Sequence, residues 1–463
     1  MRRAPARVGH DRIDRARSGR SDGAPTKEPP VSAGSPQNAP TAPTSGRRAG
    51  AGWFALFTLA WLAIWTAQLT PLQLLIPLQL DTPGDADRWI SGVVSSGLVL
   101  AAGGLAGVIA GPLAGGMSDR TRGRFGRRRP WALGGVLLGA GSLVAIAFAT
   151  GPLGVGVAWV GVSVGVAVAS AAFTAMIADQ LSAQRGTASA AISSSQALGI
   201  VVGVGVVVLL GLGVVAGYLM LGAILLVAGG AGALLLPDPP APAASATART
   251  RRALSARFAA FRDRDFAWML WGRLVANIGN ALGTGLLLFF LLYGLHRDPA
   301  AAQDELLLLI VVYTVFVVLA SVLAGAVSDR TGNRRGLTVG AALVQGGAAL
   351  LLAVFPSFEM SLVAAGLLGV GYGAYMSVGL ALGTDLLPFA EDSARDLGFV
   401  NVAASLGQLL GPLIGAGLVA AVGGFWLLFL GSAVMSVVGG LMTLMVRAPR
   451  RHPSSPAPDR ARR

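Results

Sequence analysis

The sequence predicts an all-α integral membrane protein with 12 transmembrane helices in two pseudo-symmetric six-helix bundles. Apolar residues make up 54% of the 463 residues and charged residues only 13%, about half their share in a soluble domain. Mean hydropathy is +0.66, and such a composition needs a membrane around it. The two halves are indicated by a repeat, because GGMSDRTRGRFGRRRPW at 115–131 is echoed by GAVSDRTGNRRG at 325–336.

Twelve apolar runs give the predicted spans, and most are long enough to cross about 30 Å of hydrocarbon at about 1.5 Å per residue. They cover 53–80, 89–114, 131–150, 153–180, 187–213, 216–236, 266–293, 305–327, 337–355, 359–387, 396–421 and 424–446. The composition between them sets the domains: a disordered basic tail at 1–50, a six-helix bundle at 51–236, a linker loop at 237–264, a second bundle at 265–446 and a basic tail at 447–463.

The basic residues predict the orientation in the membrane. With 12 spans and both tails on one side, 33 of the 36 Lys and Arg residues fall on that side. Arg88 and Arg297 fall on the other side, and Arg273 lies within a span. The positive-inside rule then predicts a multi-pass plasma-membrane protein with both termini in the cytoplasm. The net charge of +14 therefore does not predict nucleic acid as a partner.

The same composition limits the chemistry. The chain has no cysteine, which removes thiolate metal sites and disulfides, and it has no Ser/His/Asp or metal-ligand cluster. We therefore expect neither an enzyme nor a cofactor or metal. The expected partners are the lipid bilayer and a small-molecule substrate, and the expected state is a monomer.

A near-constant spacing links charged residues of the two halves. Asp119 precedes Asp329 by 210 residues. The other pairs, at offsets of 206 to 210, are Arg127 with Arg334, Arg128 with Arg335, Asp179 with Asp385 and Arg185 with Arg395. Two related six-helix halves joined by a long loop indicate a secondary transporter with its site between the halves.

The second loop, GAVSDRTGNRRG, resembles the Gly-x-x-x-Asp-Arg-x-Gly-x-Arg-Arg loop of the major facilitator superfamily. The longer first copy, SDRTRGRFGRRRPW, is similar to that of the sucrose–proton and glycoside–pentoside–hexuronide:cation symporters, as are the span exits ADQLSAQRGTAS and TDLLPFAEDSARDLGFVNVAASLGQLLGP. The resemblance implies transport by alternating access. It assigns a gate to Gly115, Asp119, Arg120, Arg127 and Arg128, and to Gly325, Asp329, Arg330, Arg334 and Arg335.

Asp119 ends span two, where its carboxylate can accept hydrogen bonds from the amides of a helix N-terminus. In the superfamily that helix is span eleven. Arginines 127–129 can bridge to a rim carboxylate such as Asp179, and such pairs would hold the cytoplasmic gate shut in the outward-open state. A purely topological role explains the number of arginines but not an aspartate placed identically in both halves.

Glycines recur every four residues in spans two and eleven, which lets helix backbones approach closely in lipid. They are Gly103, Gly107, Gly111 and Gly115, and Gly407, Gly411 and Gly415. Because the resemblance implies that these spans face each other across the halves, we expect the two rows to meet. Chance is the alternative in a chain with 65 glycines.

Polar side chains on spans one, four, seven and ten, which line the cavity in this superfamily, are the substrate-site candidates. They are Thr66, Thr70, Gln73, Ser170, Thr174, Arg273, Asn277, Asn280, Tyr372 and Tyr375, with Asn401 added from span eleven. Amides, hydroxyls and aromatic faces suit a neutral polyhydroxylated substrate, so we expect a sugar or glycoside. A multidrug or metabolite exporter is the alternative.

Two points stay open at this level. A single Ser or Thr hydroxyl can instead bond its own helix carbonyl, and Arg273 can pair with Asp385 or face the cavity. No carboxylate or histidine lies in the middle of a span, although a proton symporter normally places a titratable group along its path. The coupling candidates, for a proton or another cation, are therefore the rim charges Asp179, Arg185, Asp385 and Arg395, and facilitated diffusion is the alternative.

Overall fold

The computed structural model describes residues 49–81, 88–121, 125–181, 184–238, 264–385 and 393–447. These residues include 12 helices long and apolar enough to cross a membrane, which confirms the predicted fold class. The helices are α1 Ala51–Leu80, α2 Arg88–Ser118, α3 Arg129–Ala147, α4 Gly151–Gln180, α5 Arg185–Leu209, α6 Val214–Leu235, α7 Arg264–Gly294, α8 Pro299–Thr331, α9 Arg334–Val354, α10 Phe358–Asp385, α11 Ser393–Val422 and α12 Trp426–Met442. Most of the predicted tails and linker lies outside the described residues.

Helix α8 begins earlier than the predicted 305, because a cap starts it outside the apolar run. The Asp298 carboxylate accepts hydrogen bonds from the backbone amides of Ala300 and Ala301, both at 3.2 Å. Pro299 occupies the first position, where the missing amide costs nothing. At its other end α8 reaches Thr331, and Gly332 closes it in the left-handed region with φ 66°.

The first helix of each half is interrupted by a π-helical turn. In α1 the turn is Pro71–Leu75, where the proline has no amide to donate to the preceding turn. In α7 a break at Leu286 precedes the turn Phe290–Gly294. The turn of α1 contacts the segment Leu287–Phe289 of α7, so the two interruptions meet across the halves.

Helix contacts follow the same pattern in both halves. Helix α1 packs on α5 as α7 packs on α11, α2 packs on α4 as α8 packs on α10, and α3 packs on α4 as α9 packs on α10. The main contacts between the halves are α2 with α11 and α5 with α8. We call the end of the bundle that carries the α2–α3 and α8–α9 loops the basic end, and the other the opposite end.

Candidate functional site

At the basic end of the first half, two arginines bridge two carboxylates. The Arg128 side chain is 5% exposed, and it reaches Asp119 at 2.6 Å through Nη2 and Asp179 at 2.9 Å through Nε. A further donor of Arg128 bonds the Ser118 hydroxyl. Arg127 contacts the same two aspartates at 3.2 and 3.4 Å. This cluster joins the end of α2, the α2–α3 loop and the end of α4, all within one half. These pairs therefore do not themselves bridge the two halves, and their expected role in holding the cytoplasmic gate shut stays a prediction.

The second half carries a looser version of this cluster. Arg334 lies 3.7 Å from Asp329, whose side chain is 75% exposed, and it donates to the Ala381 carbonyl of α10 at 2.7 Å. Arg335 donates to the Leu444 carbonyl beyond α12. Arg120 and Arg330 are exposed. The backbones of Arg185, Asp385, Arg395 and Asn401 are described but their side chains are not, so their roles, and a contact of Asp119 with the start of α11, stay predictions.

The two glycine rows do not meet as expected. A Cβ built on Gly103 would strike Trp159 of α4, and one on Gly411 would strike Ala281 of α7. At these positions the rows therefore pack on helices of their own half and not on each other. This corrects the expected meeting of the two rows.

Helices α2 and α11 touch toward the opposite end. A Cβ built on Gly97 would lie 2.6 Å from the Ala416 Cβ, and one on Gly104 would lie 3.0 Å from Leu409. At Gly111 and Gly115 a Cβ would have no such neighbour within 4 Å among the described residues. Among the described side chains, the contact of α2 with α11 therefore lies toward the opposite end. We call the space beside Gly111 and Gly115, which no described residue fills, the cleft.

The opposite end is closed by a contact that the sequence analysis missed. The Tyr293 hydroxyl of α7 donates to the Asp81 carboxylate after α1 at 2.5 Å. The Tyr293 ring also stacks on Trp89 of α2, with centroids 5.0 Å apart, and Trp89 stacks on Phe425 at 5.6 Å. Asp81 directly follows an apolar run and was a visible signal, but its partner is 212 residues away.

Between the two ends, the second half contains a layer of amides and phenols. Asn277 and Asn280 of α7 are 1% and 3% exposed. Their side-chain oxygens accept hydrogen bonds from Tyr372 of α10 at 3.4 Å and Tyr313 of α8 at 3.2 Å. The two tyrosine rings stack with centroids 6.3 Å apart, and Gln408 of α11 lies close to Tyr372. We call these five residues the polar layer; Tyr313 was not among the candidates.

Several candidates from the first half occupy other surroundings. Thr66 donates to the Gly199 carbonyl of α5 at 3.1 Å, and Thr70 is 0% exposed beside Gly203 of the same helix. These two threonines therefore belong to the α1–α5 contact, which differs from the expected cavity position. The remaining first-half candidates are accessible: Gln73 and Ser170 are half-buried, and Thr174 is exposed.

The pairing of Arg273 with Asp385 stays a prediction, because the Asp385 side chain lies outside the described ones. The Arg273 side chain is 4% exposed, and its Nη1 lies beside Gly379 of α10. Asp385 is six residues further along that helix, a rise of about 9 Å. Tyr375 lies nearer, because it lines the same crevice.

Two related six-helix halves, with a bonded closure between them at the opposite end, have the architecture of secondary transporters. The profile of the Major Facilitator Superfamily matches residues 93–301 and 273–463, and the chain belongs to this superfamily. It is a multi-pass membrane transporter rather than an enzyme.

Other similarities are more distant. The chain is 29% identical over 147 residues to "Multidrug resistance protein Stp" of Mycobacterium tuberculosis, in two strains. That match spans 30% of this chain and only 27% of the relative. Among solved structures, a point mutant of the nucleoside transporter NupG has a TM-score of 0.68 at 16% identity, covering 85% of this chain and 98% of the other. A D-xylose-proton symporter has 0.64 at 16%, covering 86% and 98%. At this identity both show the fold alone.

Proposed function

We propose that this transporter moves a small, uncharged, polyhydroxylated solute, a sugar or glycoside, through the cleft. The polar layer is the observation that carries the proposal. It offers amide and phenol groups that can exchange their mutual hydrogen bonds for bonds to substrate hydroxyls, each contributing about 1 kcal/mol. Its tyrosine rings offer faces on which a sugar ring can stack.

We also propose that the basic end faces the cytoplasm of the cell, in the plasma membrane, with both termini on that side. The supporting observation is the placement of 33 of the 36 Lys and Arg residues, read by the positive-inside rule. The conformation described above is then open to the cytoplasm. Opening to the other side requires the bond between Asp81 and Tyr293 to break and the α2 and α11 ends near Gly111 to close.

Coupling to a proton or another cation is proposed to use the rim charges. Asp179 is the best-defined of them, because it is ion-paired with Arg127 and Arg128 at the basic end. A proton on Asp179 would weaken both pairs and loosen the α2–α4 cluster. Uniport is the alternative, and Asp385 is the equivalent candidate in the second half.

The substrate proposal is tested by uptake of labelled neutral mono- and disaccharides into proteoliposomes. Tyr372→Phe keeps the ring and removes the hydroxyl that bonds Asn277, so uptake should fall roughly 5-fold to 10-fold. Tyr218→Phe is the matched control, because its buried hydroxyl has no hydrogen-bond partner among the described residues. Equal uptake by both variants would contradict the role of the polar layer, and no uptake of any sugar would contradict the substrate class.

A multidrug exporter is the second candidate, and the partial match to a multidrug resistance protein favours it. Such a cleft would bind amphipathic cations by apolar and aromatic contacts. Efflux of ethidium from loaded vesicles, unaffected by excess sugar, would favour this candidate over the sugar transporter.

A further inference from the structure

Arg273 is a buried cation with no partner among the described residues. Its Nε and Nη1 atoms are buried and make no hydrogen bond, and the side chain is 4% exposed. The titratable groups that face it are the phenols Tyr375 and Tyr372. A buried charge is tolerated when it is paired and its donors are satisfied. A bound anion would meet both conditions for Arg273.

The guanidinium faces a crevice between four helices of the second half. The crevice is open to solvent and has a cavity volume of about 10 Å³, which is room for about one water-sized species. It is lined by Met269, Arg273, Thr338, Tyr375, Gly379, Leu382 and Thr443. Thr338 and Thr443 donate to carbonyls of their own turns at 2.8 and 3.3 Å. The strongest donors left in this lining are those of Arg273.

We propose that this crevice binds one small monovalent anion, a halide or the carboxylate end of a small organic acid. One guanidinium balances one negative charge, and its planar fork can hold a carboxylate through two parallel bonds. Among the described residues, the lining contributes hydroxyls and apolar groups and no carboxylate, so none of these groups would repel an anion. Gly379 leaves room beside Nη1, because even a Cβ there would lie at 3.5 Å.

An anion at this point would brace the polar layer. Asn277 donates to the Arg273 carbonyl at 2.8 Å, and Tyr375 lies one turn of α10 from Tyr372. Charge compensation at Arg273 would therefore fix α7 against α10 one turn from the proposed substrate site. This inference goes beyond the proposed function and does not depend on the transported solute.

The test is the thermal unfolding midpoint of the purified full-length protein, followed by the fluorescence of its nine tryptophans. Chloride, bromide or acetate is titrated at constant ionic strength against a bulky sulfonate that the crevice cannot admit. Wild type should show a saturable rise of roughly 2–5 °C. Arg273→Gln should abolish the rise, and Arg264→Gln, which changes an exposed arginine on the same helix, should preserve it.

The response to each anion distinguishes a halide site from a carboxylate site. A rise with chloride and bromide alone assigns a halide site, and a larger rise with acetate assigns a carboxylate site. No saturable rise in wild type, or an equal rise in Arg273→Gln, would overturn the proposal. A rise that appears only after Asp385→Asn would also overturn it, because the counter-ion would then be the chain's own carboxylate. If Arg273→Gln does not fold, bromide located by anomalous scattering in wild-type crystals decides: a peak in the crevice supports the proposal and its absence overturns it.

Discussion

Tyr293→Phe isolates the bond that closes the opposite end. The substitution keeps the ring that stacks on Trp89 and removes the hydroxyl that donates to Asp81 at 2.5 Å. Hydrogen bonds to a charged group contribute about 1.5–3 kcal/mol, and both partners are half-buried, so we take the lower value. About 1.4 kcal/mol is tenfold in an equilibrium. The population open at the opposite end should therefore rise roughly tenfold.

Asp81→Asn should have a smaller effect, because the amide oxygen still accepts a neutral hydrogen bond of about 1 kcal/mol. We expect a two- to fivefold rise in the open population. The double variant should match Tyr293→Phe alone, since both changes remove one shared bond and residues in contact are not additive.

The assay is alkylation of a single introduced cysteine, Thr284→Cys, which lies one turn of α7 beyond Asn280 toward the closed end. The chain has no native cysteine, so labelling reports this position alone. A membrane-impermeant maleimide applied from the side of Asp81 should react roughly tenfold faster in Tyr293→Phe, and Tyr218→Phe should leave the rate unchanged. An unchanged labelling rate in Tyr293→Phe would refute the role of this bond in closing the opposite end. Additive effects of the two changes on the labelling rate of the double variant would refute it as well.

Three further predictions concern the basic end and the helix contacts. Arg128→Gln should lower the free energy of unfolding by about 2 kcal/mol, because it removes the buried bridge between two carboxylates and leaves only the longer contacts of Arg127. Arg127→Gln should cost under about 1 kcal/mol, because Arg127 is more exposed. Equal losses in denaturation would contradict this difference. Gly97→Leu should destabilise the protein, because the larger side chain forces α2 away from α11. Gly111→Leu should leave the unfolding midpoint unchanged but abolish uptake, because it blocks the closure of the α2 and α11 ends at the basic end. Normal uptake by Gly111→Leu would argue against that closure. Asp179→Asn should abolish accumulation driven by an imposed pH gradient but preserve exchange, and continued accumulation would exclude this proton site.

The sequence predicted which segments form helices better than it predicted which neighbour each helix face contacts. Span number follows from apolar length, which a single sequence displays directly. The bridging of Arg128 to Asp179 was also foreseeable, since both lie at the same membrane rim. The glycine rows were misassigned because a four-residue spacing defines a face without defining which neighbour that face meets. Thr66 looked like a cavity group for the same reason.

Contacts between residues far apart in the sequence could not be predicted, for a different reason. The bond between Asp81 and Tyr293 joins residues 212 apart, and neither belongs to a repeated motif. Tyr313 was missed because α8 was not among the spans expected to line the cavity. A buried polar residue in an apolar span needs a hydrogen-bond partner, but only the packing of the helices identifies that partner.

Alternating access requires that the cleft opens at one end while it closes at the other. Pulsed electron paramagnetic resonance measures both ends at once, with spin labels at Met117 and Thr331 near the basic end and at Thr150 and Pro356 near the opposite end. In lipid, Tyr293→Phe should add a population with a shorter Met117–Thr331 distance and a longer Thr150–Pro356 distance than wild type shows. Fixed distances in both proteins, or both ends opening together, would contradict alternating access.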